Sequence, residues 1–420
     1  AMPRNVWILS GIALGVAIGF GVVNPVLPLF ARSFGVDETG AAAVVSAFAL
    51  MRLVFAPAVG FLTSRWSHRG VLIVGVLIVA VSSLAVGFAN SYAQMIVYRG
   101  LGGIGSAMFS VSAMTVLLSS VNAAHRGRAS AVYQGSFLVG AVAGPALGGL
   151  LGAISMRAPF FFYAITLGVA AAVALGLAPI EGDASARPRK NGVGRRSDEA
   201  SRPGEGGGDG RAASGTPVRP LGEVVRDRRY QAALLAHLAQ GWNTNGTRAA
   251  LIPLFVAAYL AASDAQAVLW SGIAMSVGAV VQVMAIWPSG VVVDRIGRRG
   301  PMVIGALIAA ASMAVLPFSR SLLVLAALLG VYAIGAALIG TAPSAAVGDA
   351  AGPGGTRAIA LYSMAGDTGS VVGPLVAGFL AAEFSYVTAC AVGAALWGLS
   401  AVVSRTMPRG DGGAGPGQAP

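Results

Sequence analysis

The chain has 420 residues, 56% of them hydrophobic and only 10% charged, with a mean hydropathy of +0.75. Soluble globular domains carry roughly 45–50% apolar and about 25% charged residues, so this balance excludes that class. The formal net charge of +12 would suit a nucleic-acid binder, but the placement of the cations along the chain argues against nucleic acid as a partner.

Twelve apolar runs are long enough to cross a bilayer as helices, which takes about 20 residues each. They lie near 6–30, 41–63, 70–89, 92–118, 128–152, 159–180, 229–259, 265–293, 300–318, 321–345, 356–380 and 384–405, and are called spans one to twelve below. None alternates polar and apolar residues with period two, so a β-barrel is not expected. The first run is too long for a signal-peptide core and is expected to be a retained helix.

In span one, Ser10, Leu14, Ala17, Gly21, Asn24 and Pro28 recur at steps of four and three, giving one small or polar face. That face either lines a water-filled cavity or packs closely on another helix. Pro25 and Pro28 are expected to kink its end. Span two carries Arg52 about 18 Å deep, where a charge is expensive and marks a cavity or a partner. A cationic turn follows at residues 60–70, GFLTSRWSHRG, with Gly60, Arg65 and Arg69. Such a turn suits a hairpin between two membrane helices, with glycine allowing close approach and the cations held at the headgroups.

Span four opens with Arg99, Gly100, Gly102, Gly103 and Gly105. The G-x-G-x-x-G pattern has no preceding strand, so it reads as close helix contact rather than a dinucleotide site. Span five bears Gln134 and then Gly140, Gly144 and Gly148 at every fourth residue, with Pro145 and Gly149 beside them. This stacks glycine on one face beside a proline bend, geometry suited to a helix rocking against the opposite half of the protein.

Residues 181–228 are rich in Gly, Arg, Pro and Ser and are expected to form a flexible cytoplasmic linker, with a surface helix near 221–229. Span seven sets His237, Gln240, Gly241, Thr244 and Arg248 in a polar stripe widened by Trp242, Asn243 and Asn245, and span eight adds Ser271, Met275, Gly278 and Gln282. Polar stripes facing lipid are costly, so these are expected to face protein or water. The candidate substrate cavity is therefore Asn24, Gln134, His237, Gln240, Trp242, Thr244, Asn245, Met275 and Gln282. A second cationic turn, residues 290–301, carries Gly290, Asp294, Arg295, Arg298 and Arg299. Span eleven repeats the fifth more loosely through Gly369, Gly373, Pro374 and Gly378, and holds Asp367 about 17 Å from the same side as Arg52. The tail, 407–420, is Gly/Pro-rich and expected to be disordered.

The halves are related. Gly60, Arg65, Arg69 and Gly70 recur 230 positions later as Gly290, Arg295, Arg299 and Gly300, while Gly140, Gly144 and Pro145 recur 229 later as Gly369, Gly373 and Pro374. A fixed offset marks a duplication. The expected fold is all-α and membrane-integral: twelve transmembrane helices in two pseudo-symmetric six-helix bundles, 1–180 and 229–406. With the amino terminus inside, only Arg32, Arg157 and Arg320 fall outside and Arg52, Arg99 and Arg248 within spans, the remaining Lys and Arg lying on the inner side. This positive-inside bias places both termini in the cytoplasm and the protein in the cell membrane. Cys390 is alone and His68, His125 and His237 are scattered, so neither disulfide, metal nor cofactor is expected, and no nucleophile–base arrangement suggests an enzyme.

These motifs resemble the major facilitator superfamily over both repeats, and within it the twelve-helix drug:proton antiporters. Residues 290–299 match the superfamily loop signature, and 60–69 are a degraded copy with Ser64 in place of the acid and Ser67 in place of glycine. Arg99, Gly103 and Gly105 resemble the fourth-helix signature, and GAVAGPALGG at 140–149 fits the fifth-helix antiporter signature. The resemblance implies alternating access by two rocking bundles, gated by the loop glycines, Asp294 and its neighbouring arginines. Unlike many members of that branch, the chain has no acid within its first or fourth helix, and Asp367 is the one acid deep within a span. The expected function is proton-coupled efflux of a small amphipathic compound by a monomer. Import or facilitated diffusion of a small organic, even anionic, metabolite is the alternative, and a non-transporting sensor or scaffold a remote one. In the fold so implied, spans two and eleven are neighbours, so Arg52 and Asp367 are expected to pair. Asp367 would take up a proton when that pair separates; the alternatives are a permanent structural ion pair, or separate partners such as Arg99 or Arg248.

Overall fold

The computed structural model describes residues 3–121, 125–177, 221–351 and 356–408. Most of the expected linker and tail lies outside these residues, as do the side chains of Asn245 and Asp294. Among the described residues the chain is helical and contains no strand.

Span one is Arg4–Val23 followed by a short helix, Leu27–Arg32. The break falls at Pro25, which has no N–H to continue the ladder. Spans two to six are Glu38–Arg65, His68–Gly87, Tyr92–Ser119, Arg126–Ile154 and the shorter Ala158–Ala174. A six-residue helix, Leu221–Arg226, precedes the second half. Span seven is built in three pieces: Arg228–Gly241, a π-helical Trp242–Leu251, and Ile252–Tyr259. Spans eight to twelve are Asp264–Ile296, Arg299–Val315, Leu322–Ala351, Thr356–Glu383 and Tyr386–Arg405. Ten of these helices are individually long and apolar enough to cross a membrane. The sixth span falls short by length and the seventh by its division, which completes the twelve.

Side chains cap the helices at the turns. Asp37 accepts from the Gly40 N–H at 2.8 Å, and Ser91, Ser263 and Ser385 cap the helices beginning on that same side. On the opposite side, the two cationic hairpins are built differently. In the second, Gly297 ends span eight with φ of +79°, a conformation that side chains strongly disfavour. In the first, Ser67 stands there instead and its hydroxyl caps span three, accepting from Gly70 N–H at 3.0 Å. The degraded signature has exchanged a glycine turn for a serine cap, a feature worth about 1 kcal/mol.

Each half packs in the same way. Span one lies on span five and seven on eleven; two lies on four and eight on ten. Spans three and nine contact only helices of their own half among the principal packing pairs. The halves meet where span five crosses span eight and span two crosses span eleven. Here the glycine stripe departs from expectation. Gly140, Gly144 and Gly148 face span one of their own half, where an added Cβ would strike Ala17, Ile18, Gly21 and Val22. It is the adjacent face, Pro145, Gly149 and Gly152, that meets Leu269, Gly272 and Val268 across the seam. Span eleven repeats the division. Gly369 and Gly373 pack on Leu238 and Trp242 of span seven, while Gly378 meets Glu38, Thr39 and Ala42 of span two.

Candidate functional site

Between the halves, at mid-membrane, lies a cavity of about 340 Å³. Spans one, two, four and five supply Phe20, Asn24, Phe48, Arg52, Ser106, Phe109, Ser110, Phe137 and Pro145 to its wall; span six adds Tyr163. From the second half come Thr244, Arg248 and Ala249 of the π-helical segment and Met275, Ala279 and Gln282 of span eight. All the aromatic side chains of the wall come from the first half, together with Asn24, Arg52 and two serines, while the second half supplies Thr244, Arg248 and Gln282. Among the described residues no carboxylate lines it.

The two cavity arginines differ in their partners. Arg52 Nη2 lies 4.0 Å from Asp367 Oδ1, an ion pair that joins spans two and eleven across the seam. Both side chains are partly open, at 46% and 34% exposure, and 4.0 Å is longer than a hydrogen bond. The pair is therefore held by charge and can part without leaving a fixed bond unmade. Arg248 has its guanidinium over the Tyr332 ring at 5.4 Å, with Nε buried and unpartnered among the described residues. Arg99 sits behind the wall, 5% exposed, its guanidinium 4.5 Å from the centre of the Phe48 ring. Gly103 makes this possible, since any Cβ there would collide with the backbone of Phe48 and Arg52.

Of the candidate cavity residues, Asn24, Thr244, Met275 and Gln282 line this space. Gln134, His237, Gln240 and Trp242 do not. Gln134 lies eleven positions before Pro145, about 16 Å nearer the hairpins, and is exposed. His237 is stacked on Tyr362, ring centres 4.2 Å apart, with Gly366 against it. Trp242 is buried against Gly369 and Gly373. The reason is helical phase. The stripe was laid out at 3.6 residues per turn, but from Trp242 onward the bonds run i→i+5, which turns Thr244 and Arg248 toward the cavity and leaves the earlier residues on span eleven. Ser106 and Ser110, four apart on span four, carried the same polar-stripe signal and were missed.

The far side, away from the hairpins, is closed. Tyr386 donates to Glu38 at 3.3 Å and the seam glycines are in backbone contact, while deeper, beside the cavity, Ser276 donates to the Val142 carbonyl at 3.1 Å. At the hairpins, Gly60 and Gly290 would find nothing within 4 Å of an added Cβ, so the close approach expected of them is absent in this arrangement. Arg65 stacks over Phe61 at 4.7 Å and Arg69 donates to the Leu175 carbonyl at 2.5 Å, while Arg295 and Arg298 are exposed and Arg299 is half-buried. Gating contacts around Asp294 fall outside the described side chains.

A sequence profile of the Major Facilitator Superfamily matches residues 9–259 and 233–418. The multidrug efflux protein YfmO of Bacillus subtilis (strain 168) is 29% identical over 170 residues, 40% of this chain and 43% of that protein. Quinolone resistance protein NorA of Staphylococcus aureus (strain MRSA252) is 25% identical over 166 residues, 38% of this chain and 42% of its own. The class B tetracycline resistance protein of Escherichia coli is 32% identical over 152 residues, 36% of this chain and 38% of its own. The match thus spans less than half the length of each relative. Among solved structures, the nucleoside transporter NupG has a TM-score of 0.72 at 13% identity, covering 96% of this chain and 99% of that one. A bacterial homologue of the human lysosomal transporter Spinster, inward-facing and occupied, has a TM-score of 0.74 at 13% identity with 95% of each chain covered. At such identity the likeness is one of fold. With both repeats matched and twelve spans arranged about one seam, the chain belongs to the Major Facilitator Superfamily.

Proposed function

We propose that the protein is a secondary transporter that exports small amphipathic compounds in exchange for protons, by alternating access. The observation that carries this reading is the central cavity at the seam, with the Arg52–Asp367 pair bridging the two halves beside it. Closing one side and opening the other must change the distance between spans two and eleven, and so must make or break that pair. Asp367, the carboxylate of that pair, is the group to which we assign the exchanged proton. Efflux is favoured over uptake by the names of the relatives, a multidrug efflux protein and two resistance proteins. The bias of Lys and Arg toward the hairpin side supports cytoplasmic termini in the cell membrane. One chain supplies every wall of the cavity, which supports a working monomer.

The test uses inverted vesicles and a panel that includes a quinolone and a tetracycline, with and without an imposed pH gradient. Accumulation should need the gradient, and Asp367→Asn should abolish it while leaving compound binding measurable. Full gradient-driven accumulation by Asp367→Asn would move the proton site elsewhere. Equilibration without accumulation would make the protein a facilitator.

A further inference from the structure

We propose that the molecule carried in this cavity bears an anionic group, which Arg248 binds, on an aromatic or similarly flat apolar body. This rests on the transport reading above and specifies its substrate class. The cavity volume, about 340 Å³, suits a small organic molecule. Its charge is one-sided, because Arg52 and Arg248 line it and, among the described residues, no carboxylate does. Arg52 is already balanced by Asp367 on its other side, whereas Arg248 has only the Tyr332 ring, and its Nε finds no acceptor among the described residues. Arg99, the other buried arginine, is shut behind Phe48 and is not part of the cavity wall.

An unpaired guanidinium within the membrane is costly to hold, and such a group is retained where something charged visits it. A planar fork of five donors matches a carboxylate, sulfonate or delocalised enolate, and no carboxylate in the wall competes for it. Thr244, on the same π-helical segment, and Gln282 of span eight line the same cavity, so further polar groups are available to the anion. Phe20 and Phe109 supply the apolar surface for the rest of the molecule. A cationic compound would meet the uncompensated charge of Arg248 here, with no carboxylate among the described residues of the wall to offset it. The cavity therefore discriminates by sign.

The experiment uses the full-length protein in detergent with three probes of one skeleton: naphthalene-2-carboxylate, naphthalene-2-carboxamide and 2-(aminomethyl)naphthalene. Titration calorimetry reads binding with no gradient present, so failure here leaves the efflux reading standing. Failure of gradient-driven transport, in turn, leaves the sign preference standing. Wild-type protein should bind the carboxylate at least about tenfold tighter than the amide, the ratio expected of one charge-assisted hydrogen-bonded contact, and the amine weakest of all. Arg248→Gln should erase the carboxylate-over-amide ratio, and Arg248→Lys should keep part of it, since the charge remains but the fork is lost. Gel filtration and circular dichroism check the folding of both variants, and the wild-type ratio decides the matter should either fail to fold. Equal affinity for the three probes, tighter binding of the amine, no saturable binding of the carboxylate, or an unchanged ratio in folded Arg248→Gln overturns the assignment.

Discussion

Replacing Gly272 by Ala is expected to open the far side without unfolding the protein. A Cβ there would meet the carbonyl oxygen of Pro145 and lie 2.8 Å from Cα and 2.9 Å from N of Gly149. Carbon contacts are comfortable at about 3.5–4.0 Å, so spans five and eight would have to part by roughly 0.6 Å or more. The obstructing atoms are all backbone, and no side-chain rotation relieves them. Overpacking of this kind costs about 1–3 kcal/mol. Once the spans have separated, the methyl group meets nothing, so the cost falls on the far-side-closed arrangement alone. That shifts the conformational equilibrium by about 5- to 150-fold toward far-side-open. Gly144→Ala is the control: its Cβ would lie 2.6 Å from Gly21 Cα and 2.8 Å from the Ile18 carbonyl, inside one half, and strains both arrangements alike. The assay is a spin–spin distance between labels at Asn90→Cys and Ser321→Cys, exposed far-side positions on opposite halves. Cys390 is buried and stays unlabelled. Gly272→Ala should lengthen the distance, whereas Gly144→Ala should lower thermal stability and leave the distance alone. An unchanged distance in Gly272→Ala, at wild-type stability, would refute the idea that this crossing shuts the far side.

Two further substitutions probe the same geometry. Gly144→Leu should fail to yield folded protein, because the first side-chain carbon already meets the backbone of span one. A well-folded but inactive variant would instead return that glycine to the seam. Thr244→Trp should fill part of the cavity and narrow the range of compounds to which a pump-deficient host becomes tolerant, while Gln134→Trp should leave that range alone. An unaltered tolerance profile for Thr244→Trp would show that transport does not pass through this cavity.

What the chain announced in its sequence was its large-scale plan. Apolar length fixes the spans, and the repeated offset from Gly60 to Gly290 and from Gly144 to Gly373 fixes two halves. Depth counting put Arg52 and Asp367 at one level, and the structure holds them 4.0 Å apart. What stayed hidden depends on which neighbour a helix face meets. A stripe at every fourth residue shows that Gly140, Gly144 and Gly148 share a face, but not that span one, rather than span eight, occupies it. The aromatic wall was hidden for a related reason: Phe20, Phe48, Phe109 and Phe137 look the same in sequence whether they face lipid, core or cavity. His237 and Gln240 were misplaced because the stripe assumed one helical period through Trp242.

The change of period has a mechanical consequence. Over ten residues in the middle of span seven, each N–H reaches one residue further back than in an α-helix, so the span stores slack that its two ends do not show. One residue of slack corresponds to about 100° of rotation about an α-helical axis. Arg248 and Thr244 ride on that stored turn, between a buried Trp242 and Pro253 just past its end. Span seven is thus a shaft with a loosely wound middle. Moving the wide turn along the span would swing the cavity arginine through a large arc while both anchored ends of the shaft stayed where they are.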